Sequence, residues 1–456
     1  MADVDYPGVY IEEVPFGTET IEGVATSTAA FVGEADERVA HVKSVADFER
    51  AFGRVHGGFE LGMAVSLFFA NGGTDVWVVG VPCGTPLADG LVRLDAVDTL
   101  NLLCLPGETD VEVLRAALEH ADRRRAFLVI DPVGADADGT ITLAKTLAAT
   151  GGANGAAFFP PLEVADSNGV VSTCAPSGAV AGMYARVDRA VGIWKAPAGG
   201  NGVLAGAIAP AVGLDQGVLT KLHEAAVNPI RQFPGRGIRV WGARTLQGDE
   251  GSTSDWKYVP IRRLALFIEE SLYRGTQWAV FEPNDEPLWA KLRLECGAFL
   301  QSLFRAGAFA GRVADESYFV RCGRDTMSQD DIDNGRLTIL IGIAPVRPAE
   351  FVVFRIGQWL PHSTETFAAS GRPSERLCLR QRPVVAQSVL VQVKEDGTWT
   401  TWRQVLQLAD AGAGDRVYSL DPESGRLAFG DGEHGARPPA GSQNVRVAYR
   451  HGAGDH

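Results

Sequence analysis

The first 190 residues alternate short apolar runs with amphipathic stretches. A continuous apolar run of about five residues is typical of a buried strand, whereas apolar residues recurring every three or four positions indicate a helix. On this basis we expect, in chain order, a strand at 29–33, helices at 44–52 and 59–70, strands at 76–81 and 100–105, a helix at 110–122 and a strand at 126–130. This alternation of strands and helices predicts a mixed α/β domain.

Residues 191–255 are rich in glycine and proline and are predicted to be mainly loop. Helical spacing returns after Pro260, which suits the first turn of a helix, and again after Asn284 or Asp285, either of which can cap a helix. We expect these elements as helices at 260–275 and 286–306, followed by strands at 318–322, 337–343 and 351–356.

The two ends of the chain differ from this body. Residues 9–14 are a short β-prone run with no hairpin partner nearby in the sequence, and after residue 360 only short β-prone runs remain, separated by turn residues. The predicted fold class is therefore α+β and multidomain. The expected divisions are an N-terminal extended arm at 1–20, a mixed α/β core domain at 21–190, an α+β core ending in a strand at 191–360, and a small all-β domain at 361–456.

Charge narrows the range of partners. The 456 residues include 56 acidic and 42 basic side chains, which gives a formal net charge of −14. Nucleic-acid binding needs a basic face, so this composition argues against it. The N-terminal residues lack the basic and apolar regions of a secretion signal, and no apolar run reaches the roughly 18 residues of a membrane span. We therefore expect synthesis in the cytoplasm and no direct membrane insertion.

Catalytic and metal-binding motifs are sparse. The cysteines are at least 21 residues apart, so no CxxC spacing exists. His223 and Glu224 begin like a zinc-protease motif, but Val227 stands where the second histidine is required. No phosphate-binding loop or nucleophile elbow is present.

The acidic run 330–333 resembles a calcium loop only until Gly335 sets the register. Ile332 and Ile341 then fall at positions that need oxygen ligands, so an acidic helix start is the better interpretation. We expect no catalytic residue, no cofactor and no metal, and therefore a protein that is not an enzyme.

Several long motifs, in the same order, resemble the contractile phage-tail sheath family. They are YPGVYIEE at 6–13, PSG at 176–178, WKAP at 194–197, FPGRGIRVWGART at 233–245, RRLALFIEES at 262–271, FEPN at 281–284 and PVRPAEFVVF at 345–354. The resemblance covers residues 1 to about 358, and it is greatest to the sheaths of extracellular, phage-tail-like contractile injection systems.

The resemblance implies a subunit that polymerises around a rigid inner tube and contracts, driving the tube through a target membrane. It implies that the arm and the last strand are exchanged between neighbouring subunits, which agrees with the orphan run at 9–14 because an unpaired strand needs hydrogen-bond partners. The residues expected to take part are Val9, Tyr10, Ile11, Glu12, Glu13, Phe351, Val352, Val353, Phe354 and Arg355. The implied partners are copies of itself, the inner tube protein, and the baseplate and cap proteins.

Two alternatives remain open. Residues 363–456 resemble a β module of baseplate proteins, so the chain is alternatively a sheath-like baseplate or cap component of the same machine. From another class, it is an enzyme with an unrecognised site in the 191–255 loops. Asp330, Asp331 and Asp333 are a candidate contact with the inner tube, since charge complementarity supplies register without much affinity; a solvated helix start is the competing interpretation.

Overall fold

The chain divides into two compact units, Met1–Glu350 and Phe351–His456. The computed structural model describes residues 21–166, 169–350 and 362–451. Within these residues the α-helices all belong to the first unit, and the second unit consists of strands, two short 3-10 helices, turns and loops. The fold class is α+β and multidomain, as predicted from the sequence.

Strands and helices are interspersed along the first unit. The described strands of the first unit are β1 (Ala29–Glu34), β2 (Arg38–Val42), β3 (Val76–Val81), β4 (Leu102–Cys104), β5 (Phe127–Ile130), β6 (Gly155–Phe159), β7 (Leu162–Ala165), β8 (Val171–Cys174), β9 (Val203–Leu204), β10 (Ala209–Pro210), β11 (Val227–Phe233), β12 (Gly237–Val240), β13 (Tyr318–Arg321) and β14 (Leu340–Ile343). Its described helices are α1 (Val45–Phe52), α2 (Glu60–Ala70), α3 (Ala88–Leu91), α4 (Val111–Arg123), α5 (Ala137–Ala148), α6 (Ser177–Ala190), α7 (Gln216–Glu224), α8 (Val259–Gly275), α9 (Glu286–Arg305), α10 (Ala314–Ser317) and α11 (Gln329–Asp333). The described strands of the second unit are β15 (His362–Ala369), β16 (Arg376–Cys378), β17 (Leu390–Glu395), β18 (Thr398–Gln404), β19 (Val417–Asp421), β20 (Arg426–Phe429) and β21 (Gly441–Arg450).

A central sheet organises the first unit. Nine of the described strands form it, in the order β2-β3-β1-β4-β5-β6-β11-β12-β9. The strands from β3 through β11 in this order run parallel to one another. Parallel sheets are covered by helices on both faces, which explains why their strands appear in the sequence as continuous apolar runs.

Successive side chains of the strands in this sheet point alternately into two apolar layers, one on each face. In β1, Ala29 and Phe31 belong to one layer and Ala30 and Val32 to the other, and all four side chains are fully buried. Helices α1, α2 and α6 contribute to the first layer, and α3, α4, α5 and α7 contribute to the second. Because helices cover both of its faces, the central sheet forms two hydrophobic cores with helices of the same unit.

Helices begin where the sequence supplies a capping group. The Ser44 hydroxyl accepts the Asp47 N–H at 3.1 Å at the start of α1. Of the two candidate caps for α9, it is the Asp285 carboxylate that accepts the Leu288 N–H, at 3.4 Å. Pro260 lies in the first turn of α8, where its missing N–H costs no hydrogen bond.

Residues 191–255 are rich in loops, as predicted, but they also contain elements that the sequence did not indicate. This segment contains α7 and also β11 and β12, which extend the central sheet beyond residue 190. Pro229 interrupts the apolar pattern of β11 and conceals the strand. Its carbonyl nevertheless accepts the Trp241 N–H at 2.7 Å, so one side of the strand remains bonded.

Helices α8 and α9 build a smaller apolar cluster with β13 and β14. Leu264 and Ile268 of α8 contact Cys296, Phe299 and Leu300 of α9 in this cluster, and all five are buried. Both helices were predicted from their spacing of apolar residues. Their packing provides the surface on which the short β13–β14 sheet lies.

The second unit is a seven-stranded sheet within the described residues, in the order β15-β21-β17-β18-β19-β20-β16. In β21, Val445, Val447 and Tyr449 are fully buried, whereas Arg446 and Ala448 between them are partly exposed. This alternation matches a sheet with one face on a core. The second unit therefore has a hydrophobic core of its own.

Candidate assembly surface

The residues predicted to be exchanged between subunits lie outside the described residues. They are Val9, Tyr10, Ile11, Glu12 and Glu13 in the arm and Phe351, Val352, Val353, Phe354 and Arg355 in the last strand. The structure does describe the body residues nearest to them in the chain, which are Ile21 and Glu350. Their surroundings, together with the β13–β14 sheet, define the candidate surface.

The β13–β14 sheet is short. Tyr318 pairs with Ile343 and Val320 pairs with Ile341, and these four side chains face the α8–α9 cluster without being fully buried. Among the described residues, each of these two strands pairs only with the other, which leaves one edge of each strand without a ladder partner there. A two-stranded sheet is only marginally stable by itself, and an open edge is a template for another strand.

The opposite face of this sheet exposes apolar surface. Phe319 is 44% exposed and Leu340 is 48% exposed. The Phe319 ring covers Gly342 on the facing strand, where an added Cβ would lie only 2.2 Å from the ring. The sequence indicated the two strands but not that their outer face would remain uncovered.

The chain enters the body along α8. Ile21 is buried against the α8–α9 cluster, and the Val24 N–H donates to the Ser271 hydroxyl at 3.2 Å. Arg263 donates to the Thr26 carbonyl at 3.0 Å. The first described residues are therefore held on the same helix that supports β13 and β14.

Asp330, Asp331 and Asp333 lie together on α11, which confirms the predicted acidic helix start. Asp331 forms a reciprocal capping box with Ser328, and hydrogen bonds from Ser328, followed by those from Arg336, lower the pKa of Asp331. Arg336 also donates to Asp330 at 3.0 Å. One of the three negative charges is thus offset within the chain, a pairing that the spacing of acidic residues alone did not reveal.

An apolar cleft of about 640 Å³ lies between the end of α8, the start of α9 and the segment after α11. Its lining includes Val280, Phe281, Leu288, Leu337 and Ile339. Phe281 is fully exposed and has a positive φ of 72°, which is uncommon for a residue with a side chain. The FEPN motif at 281–284 was visible in the sequence, but the cleft was not.

A buried carboxylate lies where α6 begins. Asp131 follows β5, and its two oxygens accept the N–H groups of Ser177 at 2.8 Å and Gly107 at 3.1 Å. Burial raises the pKa of Asp131 to about 7, against the lowering effect of hydrogen bonds from Ser177 and Gly107. Glu60, at the start of α2, accepts the Ala175 N–H, and burial raises its pKa as well. These carboxylates stabilise helix ends inside the first unit.

The histidine-containing turn of the second unit is structural. The Asp431 carboxylate accepts the N–H groups of Glu433 at 2.8 Å and His434 at 2.6 Å, and these bonds lower the pKa of Asp431 to about 2. Such bonds are ordinary turn chemistry. Among residues 21–166, 169–350 and 362–451, no group of three or more His, Cys, Asp or Glu side chains is arranged to hold a metal ion.

The helices also bear on the question of a membrane span. In the part of the chain that the structure describes, no helix is both long enough and apolar enough to cross a bilayer.

Two family models match this chain between residues 89 and 358. Residues 89–246 match the phage tail sheath protein central domain, and residues 251–358 match the phage tail sheath C-terminal domain. Two curated relatives are tail sheath proteins, of Vibrio phage KVP40 and Enterobacteria phage T4, each 25% identical over 39% and 38% of this chain respectively. The chain spans about a quarter of the length of these relatives, since the matches cover 25% of each.

Solved structures extend the likeness over most of the chain. The sheath complex of the PVC extracellular contractile injection system, in its contracted state, is 30% identical with a TM-score of 0.65, and the match covers 78% of this chain and 99% of that chain. The contracted helical sheath of the anti-feeding prophage gives the same values. A chain of the anti-feeding prophage baseplate is 31% identical over 78% of this chain and 100% of its own length, with a TM-score of 0.63. This chain belongs to the phage tail sheath family.

Proposed function

We propose that the chain is a structural subunit of the contractile sheath of a phage-tail-like injection system. It polymerises around an inner tube and contracts to drive the tube through a target membrane. The observation that carries this proposal is the likeness over nearly the whole length of sheath chains from contracted particles. Its partners are further copies of itself, the inner tube protein, and the baseplate and cap proteins. It is made in the cytoplasm and acts as part of the assembled particle.

Strand exchange links the subunits in this proposal. The arm residues 9–13 of one copy and the last-strand residues 351–355 of another add to the open edges of β13 and β14. Backbone hydrogen bonds to a strand edge give affinity without demanding a particular sequence. The exposed Phe319 and Leu340 support this assignment, as do the strand edges beside them, which have no ladder partner among the described residues.

Contraction draws on metastability and requires no catalytic residue. An extended lattice that buries less surface between subunits than the contracted one stores free energy in every ring. Exchanged strands keep the copies connected while the bodies rotate. A switching free energy of a few kcal/mol per subunit, multiplied over a long polymer, performs work without nucleotide.

Residues 361–456 form an appended β domain in this proposal, and residues 21–190 and 191–360 together form the sheath core. The separate hydrophobic core of the second unit supports the first assignment. Asp330, Asp331 and Asp333 contact the inner tube through weak polar interactions. Their placement on one exposed turn of helix supports a shared role, and the Arg336 pairing limits its strength.

A sheath-like component of the baseplate or cap is the second candidate. The likeness to a baseplate chain of the anti-feeding prophage and the additional β unit favour it. The enzyme alternative has less support, because β11 and β12 in the 191–255 segment are accounted for by their place in the central sheet.

Electron microscopy of the purified chain, alone and with the inner tube protein of the same particle, tests the proposal. A bulk sheath subunit gives long tubes with many copies. A baseplate or cap component gives only single rings at one end of the tube. Dispersed monomers under all conditions would contradict both.

A further inference from the structure

Two of the sequence motifs meet in a largely buried ion pair. Arg244, in the motif 233–245, donates from Nε to Glu350 Oε1 at 2.7 Å and from Nη2 to Oε2 at 2.6 Å. The Arg244 side chain is 5% exposed and that of Glu350 is 21% exposed. Tyr258 also donates its hydroxyl to Glu350 at 3.2 Å. A two-bond contact of this kind is both strong and geometrically specific.

Arg244 is itself fixed to the central sheet. Its Nη1 donates to the carbonyls of His223 and Gly248, each at 3.1 Å. Its backbone N–H and carbonyl bond to the side chain of Asn228, both at 2.8 Å. Asn228 is a buried residue of β11 and also donates to the Ala157 carbonyl of β6 at 3.1 Å. The guanidinium therefore has little freedom to move independently of the sheet.

The chain reaches Glu350 from the side of the α8–α9 cluster. Residues 344–346 are bonded to the region around α10 and the end of α9, through the carbonyls of Ser317 and Ala308 at 2.8 and 3.2 Å. A few residues later, Glu350 is bonded instead to Arg244, which is tied to the central sheet through Asn228. The next residue is Phe351, the first of those predicted to be exchanged. Among the described residues, Glu350 is thus the last one before the proposed linking strand, and it is bonded to the body.

We propose that the Arg244–Glu350 ion pair is a mechanical anchor that transmits the pull of an exchanged 351–355 strand to the central sheet. The proposal rests on the strand exchange proposed above. The anchor gives a role to the contact between the motifs 233–245 and 345–354, which polymerisation by itself does not explain.

A pull on the exchanged strand can reach the body by two paths. Without the anchor, tension on residue 351 would reach β14, a four-residue strand that has one ladder partner among the described residues. A short ladder loaded at its end opens one hydrogen bond at a time, each worth only about 1 kcal/mol. With the anchor, tension passes through Arg244 and Asn228 into the nine-stranded sheet.

The charges favour a permanent contact. Burial raises the pKa of Glu350, but the hydrogen bonds and charge of Arg244 outweigh it, so the pKa lies below its ordinary value. Glu350 is therefore ionised at neutral pH, which the two-bond geometry requires. The competing interpretation is an ion pair that contributes only to the stability of the folded monomer.

A matched pair of substitutions separates these roles. Glu350→Gln removes the charge from the anchor. Glu270→Gln removes the charge from a carboxylate that is 14% exposed and accepts from Arg125 at 3.0 Å and Arg274 at 2.6 Å. Among the described residues, none of its hydrogen bonds or ion pairs involves residues 344–350. Arg244→Lys is a third variant, since lysine keeps the charge but supplies a single point contact instead of the planar fork.

The experiment assembles each full-length variant into tubes with the inner tube protein, applies a brief fixed sonication and measures tube lengths by electron microscopy. Melting of the unassembled chains reports stability separately. We expect sheared Glu350→Gln tubes to be shorter than wild-type tubes by about threefold or more, because losing one partner of a buried pair speeds dissociation. Arg244→Lys tubes should be intermediate in length after sonication. Glu270→Gln tubes should be as long as wild-type tubes, although its melting temperature falls about as much as that of Glu350→Gln.

Three results would overturn the anchor. If Glu350→Gln tubes resisted shear like wild-type tubes, the ion pair would have no mechanical role. If Glu270→Gln shortened the tubes equally, the effect of Glu350→Gln would come only from a less stable subunit. If Glu350→Gln does not fold, Arg244→Lys decides, and wild-type shear resistance in that variant would count against the anchor. A wild-type chain that forms no tubes at all would refute the proposed function, and the anchor with it.

Discussion

The central sheet and the β13–β14 sheet of the first unit follow opposite rules. In the central sheet, the strands β4 and β5 are wholly buried, and apolar layers cover both faces. In the β13–β14 sheet, the side chains facing the core are only partly buried, and Phe319 and Leu340 are about half exposed. Within the residues that the structure describes, the first unit therefore holds one sheet with both faces covered and one two-stranded sheet with open edges.

The difference separates folding from assembly. A complete sheet stabilises the monomer, because its burial does not depend on another chain. An incomplete sheet contributes little to the monomer and gains most of its stability when strands are added. Substitutions in the two sheets should consequently fail in different assays.

Deleting residues 1–15 should have the largest effect. The proposed arm then has no strand to offer the β13–β14 edge of a neighbour, so tube formation should be lost completely. The melting temperature of the monomer should stay unchanged, because the central sheet is intact. Long, normal tubes from the truncated chain in electron micrographs would contradict strand exchange.

Two Phe→Ala substitutions, one in each sheet, test whether the two sheets contribute differently to the stability of the monomer. Phe127→Ala, in the fully buried β5, should lower the free energy of unfolding by about 3–5 kcal/mol, because it leaves a cavity. Phe319→Ala, in the half-exposed β13, should change it by less than about 0.5 kcal/mol. Denaturant unfolding measures both values. Phe319→Ala should instead raise the protein concentration at which tubes form. If Phe319→Ala destabilised the monomer as strongly as Phe127→Ala, the β13–β14 sheet would contribute to the monomer as the central sheet does, against this account.

A change of pH should affect the central sheet through Asp131. Its pKa is about 7 in the folded protein and about 3.9 in an unfolded chain, so the folded state binds the proton more tightly. This contribution to stability is complete below pH 4 and is lost as the pH rises through 7. Between pH 6 and 8 the loss should be about 1.4 kcal/mol.

Asp131→Asn should remove this dependence. Burial lowers the pKa of His120, which acts in the opposite direction over part of the range, so the informative quantity is the difference between wild type and variant. Unfolding free energies of both proteins at pH 6, 7 and 8 provide it. A constant difference between the two proteins across this range would show that Asp131 is already ionised when folded.

The acidic residues of α11 should have a smaller effect. Changing Asp330, Asp331 and Asp333 to Asn should reduce capture of the inner tube several-fold at low salt and less at high salt, where screening is stronger. Arg336 already offsets one charge, which limits the loss.

A control for this triple variant exists in the same unit. Changing the exposed Glu34 and Glu37 to Gln and Asp36 to Asn removes the same formal charge from another turn. Sedimentation of the tube protein with each sheath variant measures capture. Equal losses of tube capture in the two variants would show that capture depends on the net charge of the chain and not on the position of the α11 carboxylates.

Removing residues 362–456 should have the smallest effect on the first unit. The second unit has its own core, so its loss should leave the melting of the remaining chain and its contraction unchanged. Calorimetry of the full chain should correspondingly resolve a separate transition. Failure of the shortened chain to assemble would place the second unit in the lattice.

Local signals predicted much of the fold. The run VWVVGV of β3 and the spacing after Pro260 in α8 are sufficient by themselves, since each pattern lies within one element. Strand β11 was missed because Pro229 breaks its pattern, and the central sheet overrides that local signal through pairing with β6.

The candidate surface was less predictable because it depends on contacts between distant residues. The sequence showed the acidic residues of α11 but not their pairing with Arg336. It contained both motifs of the anchor, yet Arg244 and Glu350 are 106 positions apart and nothing local relates them. Within the described residues, the edges of the β13–β14 sheet have no further strand beside them, and no single run of residues encodes this.

A cryo-EM map of the assembled polymer, at a resolution that traces the chain, tests strand exchange most directly. We expect β13 and β14 to be flanked by residues 9–13 of one neighbouring copy and residues 351–355 of another, giving a four-stranded sheet shared by three chains. A β13–β14 sheet that remains two-stranded in the polymer, or that is completed by strands of its own chain, would contradict this account.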